Sequence, residues 1–224
     1  MENEIIMSGV GKAPQAPLKE GFFAGLNFYM QPKNFLAIGR GRRDILTTKE
    51  LVAPICDPSN WMLMAGCEDA SGIKEISGSE NSERIIEYHD STKLRANDDE
   101  TPWCSSFVNW TMEQAGYPGT NSAAALSWKN WGQEAEEPVY GAIAVIDYGK
   151  GKGHVGFVAG VSKDGKTVYL LGGNQSDQVK ISAFSVDKIA SYRMPDAINP
   201  DTYSPPPIVE NQRVQNHTTL NQTR

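Results

Sequence analysis

Apolar residues follow two rhythms along the middle of the chain. As far as about residue 132 they recur at three and four residues, the helical period; from residue 141 they alternate or run in short blocks, as strands do. Ser59 can cap a helix through Trp61, Leu63 and Met64, and Asn81 or Ser82 a second through Ile85, Ile86 and Tyr88. A third opens at Thr101-Pro102-Trp103-Cys104. Thr101 suits the N-cap, and Pro102 suits the first helical position, where its missing N–H costs nothing. Cys104, Phe107, Val108, Thr111 and Ala115 share one face of that helix, which Gly116 and Pro118 end. A short fourth helix follows Ser122 and stops at Gly132.

Residues 141–148, 154–160, 167–171 and 178–184 are β-type runs separated by turns rich in Gly, Asp and Lys. Helices first and an antiparallel meander second predict an α+β fold, with the helices packed on one side of the sheet. This pattern occupies residues 58–196. Residues 1–57 read as an extension punctuated by Gly and Pro, with an aromatic-rich stretch between Phe22 and Phe35. Residues 197–224, with three prolines from Pro205 and then Asn, Gln and Thr, lack an apolar period and predict a disordered tail.

Composition narrows the function. Of 224 residues, 39% are hydrophobic and 21% charged, which is ordinary for a globular protein with a real core. A net charge of −6 speaks against nucleic acid as partner, and Arg40, Arg42 and Arg43 make only a short basic loop. No stretch nears the ~20 apolar residues of a membrane span, and the N-terminus shows no secretory leader. The three histidines have no neighbouring ligands, so neither metal nor cofactor is expected. Cys56 and Cys67 read as small buried hydrophobes.

Cys104 differs, because it falls in the first turn of a helix. Unpaired N–H groups there lower a thiol pKa and can hold an oxyanion. Of the candidate bases, His217 lies in the expected tail and His89 reads as a surface residue beside Asp90. His154 opens a strand after the turn 149–153, with Gly156 and Gly160 leaving room on its face. A third residue should orient the imidazole. Across the hairpin, a three-residue loop (163–165) sets Asn174 opposite His154, and a two-residue loop (164–165) sets Gln175 there. Asp98 and Asp99 favour the helix N-terminus electrostatically and are also candidates to meet substrate.

Four ordered segments, 98–110 (DDETPWCSSFVNW), 122–132 (SAAALSWKNWG), 153–160 (GHVGFVAG) and 170–179 (LLGGNQSDQV), resemble NlpC-type cell-wall peptidases. The resemblance implies a papain-like fold over 58–196, with Cys104 as nucleophile, His154 as base and Asn174 as the third residue. Gln175, Asp99 and Trp103 are the expected substrate contacts. It also implies cleavage of an amide in the peptidoglycan stem peptide, without metal. Lacking a leader and sugar-binding repeats, the chain is similar to type VI secretion effectors, made in the cytoplasm and acting in the periplasm of target bacteria. Such an effector implies a carrier in the secretion machine and a cognate immunity protein. A phage endolysin, or a deamidase or acyltransferase toxin acting on protein or lipid, would use the same cysteine chemistry.

Overall fold

The computed structural model describes residues 45–46 and 60–209. The expected extension therefore lies outside the described residues except at β1 (Ile45–Leu46), as does the chain beyond Val209. Three helices come first: α1 (Trp61–Ala70), α2 (Glu83–Asp90) and α3 (Cys104–Gln114). A 3-10 helix at Ala125–Asn130 stands where the short fourth helix was expected. The strands are β2 (Gln133–Ala135), β3 (Ile143–Gly149), β4 (Lys152–Ser162), β5 (Thr167–Gly172), β6 (Lys180–Ser185), β7 (Ile189–Met194) and β8 (Ile208–Val209).

These form one mixed sheet in the order β1-β8-β4-β3-β7-β2, with β5 pairing β4 and β6. The β3–β4–β5–β6 meander is antiparallel as expected, and β8 pairs parallel with both β1 and β4. The α+β reading holds, although the sheet is covered on both faces. Val145, Val155, Phe157 and Leu171 meet Phe107, Val108, Tyr88 and Trp103 from the helices. Ala144, Ile146, Val158, Leu170 and Phe184 form a second core, with Ile198 and Tyr203 packed against it. Double coverage is why β4 is buried without a break from His154 to Ser162.

Several local expectations change. Asn60 caps α1, its Oδ1 accepting from the N–H groups of Met62 (2.9 Å) and Leu63 (3.3 Å). The third helix begins at Cys104, not Pro102, and no side chain caps it; the Thr101 N–H donates instead to Asp98 Oδ1 at 2.7 Å. Cys67 is buried but disulfide-bonded, which leaves Cys104 as the free thiol among the described residues. The unstructured tail does not start at 197. Residues 200–202 form a 3-10 turn, and the Val161 N–H donates to the Pro207 carbonyl at 2.9 Å as β8 joins β4. Two paired residues suffice for that strand, too few to leave a periodic signal.

Candidate active site

α3 is buried on every side from Cys104 to Met112, so its first residue is pressed against the sheet rather than presented to solvent. The Sγ of Cys104 receives main-chain N–H groups from Val155 in β4 and from Ser105 and Cys104 itself. These favour the thiolate, but burial outweighs them and pushes the thiol up to about 11. Val155 is the residue after His154, so the helix start and the head of β4 adjoin.

His154 is wholly buried, and its ring stacks on Phe184 with centroids 5.4 Å apart. Burial pulls the imidazole down to about 4, partly offset by a hydrogen bond with Gln175. Nε2 lies 3.2 Å from Gln175 Oε1. The Gln175 Nε2 donates to the carbonyls of Leu170 (3.1 Å) and Lys180, which fixes which end of the amide faces the ring. Oε1 can only accept, so the imidazole carries its proton on Nε2 and a lone pair on Nδ1. Nδ1 is buried and has no hydrogen-bond partner, Cys104 included.

Gln175 thus occupies the place expected of Asn174, and the reason lies in the hairpin. Gly160↔Tyr169 and Val161↔Val168 follow the register that sets Gln175 opposite His154. A bulge between Val158 and Gly160 then shifts the ladder by one residue, to Val158↔Leu170 and Phe157↔Leu171. That register aims Asn174 at His154, but β5 ends at Gly172 and the chain turns. Asn174 takes φ 53°, and the turn returns the Gln175 side chain to the imidazole. Asn174 is wholly buried with both amide atoms unpaired.

The other expected substrate contacts sit in the frame of the site. Asp99 is buried, its Oδ2 accepting from the N–H groups of Ile76 and Ser82, each at 2.9 Å. Trp103 is wholly buried and its indole donates to Glu75 Oε1 at 2.9 Å. His89 is not a surface residue: it is wholly buried with Nδ1 3.0 Å from Ser106 Oγ in α3. Sequence reasoning passed over Asn109, a buried amide in α3. It accepts from the Asn121 N–H at 2.8 Å and donates to the Ser122 carbonyl at 3.0 Å, pinning the loop after the helix. Several other polar residues share α3, so its polarity does not mark it in the sequence. Among the described residues no group of His, Cys, Asp or Glu could hold a metal, and no helix is long and apolar enough to cross a membrane.

Cys104 and His154 both fall inside the part of the chain that resembles known proteins. Residues 96–174 match the CHAP domain. CHAP domains are amidase and peptidase domains with a papain-like fold, often found in peptidoglycan hydrolases. The match covers about a third of the chain and ends at Asn174, one residue before Gln175. The CHAP family indicates a cysteine amidase or peptidase acting on peptidoglycan in general. No curated protein and no solved structure matches the chain.

Proposed function

We propose that the protein cleaves an amide bond of the peptidoglycan stem peptide, with Cys104 as nucleophile, His154 as base and Gln175 orienting the base. The observation that carries this reading is the fixed amide of Gln175, which leaves a free lone pair on the unpaired Nδ1 of His154, beside the residue whose N–H meets Cys104 Sγ. Nδ1 takes the thiol proton and Sγ attacks the carbonyl. The proton then passes to the leaving amine, and water releases the acyl group. Cys104 and His154 are 3% and 0% exposed, so a polymer-bound peptide reaches them only when the walls part. Hydrogen bonds of catalytic pairs commonly tighten only with substrate in place.

We read its setting as that of an antibacterial effector carried by a type VI machine into a rival's periplasm and countered by an immunity protein. This rests on the sequence resemblance. The disulfide at Cys67 favours work in an oxidising compartment. Mass spectrometry of fragments released from purified sacculi tests the activity: new stem-peptide termini should appear with the wild type and vanish with Cys104→Ala. Fragments that persist in Cys104→Ala would refute the cysteine mechanism.

A further inference from the structure

The 3-10 helix Ala125–Asn130 reaches both chemical residues through their neighbours in the chain. On one side the Trp128 indole donates to the Ser105 hydroxyl at 2.9 Å, one residue after Cys104. On the other, Leu126 lies against Gly153, one residue before His154, where a Cβ would come 2.6 Å from Leu126 Cδ2. Trp128 and Ser105 are both wholly buried.

The Ser105 hydroxyl is held from three directions. It donates to the Ser122 carbonyl at 2.7 Å, accepts from Trp128, and has Asn109 Nδ2 at 3.4 Å one helical turn further on. A hydroxyl offers one proton and two lone pairs, so turning this one to another rotamer would break all three contacts. The main-chain N–H of the same residue meets Cys104 Sγ. No side chain caps α3, so its first turn is fixed from the flank instead. On the reading of Cys104 as nucleophile, we propose that Trp128 is a positioning residue. Through the Ser105 hydroxyl it keeps the Ser105 N–H directed at Cys104 Sγ, while its helix braces the turn that leads into His154. Without the indole N–H, Ser105 has one restraint fewer, and the thiolate loses the full strength of that donor.

Alkylation of Cys104 by iodoacetamide in the full-length chain, followed by mass spectrometry across pH, reads the thiolate. Trp128→Phe keeps an aromatic ring in the core and removes the donor. It should move the midpoint of the profile up by about one pH unit and slow alkylation near neutral pH roughly threefold, since a less acidic thiol is the better nucleophile once ionised. Ser105→Ala should do the same. The double variant should be no slower than Ser105→Ala, because both residues act along one path. Trp110→Phe is the structural control: that indole donates to Glu87 at 3.2 Å, so its loss should lower Tm and leave the profile in place. An unmoved profile in Trp128→Phe, an equal shift in Trp110→Phe, or additive losses in the double variant would overturn the assignment. So would an unmoved profile in Ser105→Ala, whatever the fate of Trp128→Phe. The stated shifts in a protein that leaves sacculi intact would sink the wall-hydrolase reading and uphold the assignment.

Discussion

Gln175 Oε1 faces His154 Nε2 at 3.2 Å, and the amide cannot turn over because its nitrogen is held by the carbonyls of Leu170 and Lys180. A side chain locked at both ends sets the tautomer of the ring it touches. Gln175→Ala should lower kcat/KM on peptidoglycan roughly 10²-fold, the lower range of what general acid–base help contributes. It should also alter the pH profile of Cys104 alkylation. A Gln175→Ala protein with wild-type turnover would remove Gln175 from the mechanism.

The pH dependence of stability follows from the same burial. His154 is held down at about 4 against 6.5 when free, so between those values the unfolded chain binds a proton that the folded one refuses. Stability should therefore fall as pH drops from about 6.5 towards 4, by up to about 3 kcal/mol. Cys104 works at the other end: its thiol is held up at about 11 against 9, so stability should fall as pH rises through that window. Denaturant midpoints at pH 4.5, 7 and 10 would measure both limbs. His154→Gln should flatten the acid limb in part only, because burial also pulls the His89 imidazole down.

Much of this frame was legible in the sequence, and the illegible parts share a cause. The helix at Cys104 announced itself through Pro102 and an apolar face at helical spacing, and the strand at His154 through its glycine-flanked turn. Both signals are local. The bulge near Gly160 is set by how β4 and β5 pack, and nothing in the hairpin's own residues counts it out. His89 looked exposed because it stands beside Asp90, yet α2 turns that side chain under Ser106 of α3. Asp99 is a candidate to meet substrate because it lies just before Cys104 in the chain. Its partners, Ile76 and Ser82, come from a segment about twenty residues away that only the fold brings near.

Stability at the helix layer depends on Glu68. Its side chain is 6% exposed and takes Arg84 in two hydrogen bonds, 2.8 Å from Nε and 2.6 Å from Nη2, as well as the Tyr88 hydroxyl. The Arg84 guanidinium also lies 4.3 Å above the Trp110 ring, which ties α1, α2 and α3 together. Glu68→Ala strands a buried phenol, whereas Arg84, a third exposed, can return to water. The loss should be about 2–4 kcal/mol, below that of a fully buried pair, and visible as a lower Tm. Adding Tyr88→Phe should recover part of it, since the stranded hydroxyl is then gone. No recovery would mean that packing rather than pairing sets the cost.

Gly172 and Gly173 look equivalent in the sequence and differ in the fold. A Cβ at Gly173 would meet Trp103 at 2.5 Å and Phe107 at 2.7 Å, both in the wholly buried core, so neither can yield freely. At Gly172 the nearest atoms, in Gln175, Gly156 and Val155, would stand at 3.4 Å, close to ordinary contact. Overpacking a close-packed core costs typically 1–3 kcal/mol, and Gly173→Ala should lose about that much in chemical denaturation. Its second effect is functional. Relief of the clash moves residue 173 away from α3, and Asn174 and Gln175 move with it. Activity should therefore fall further than the unfolded fraction accounts for, while Gly172→Ala stays near wild type in both assays. Equal losses in the two variants would show that the chain at 172–175 is held by its turn rather than by the wall of α3.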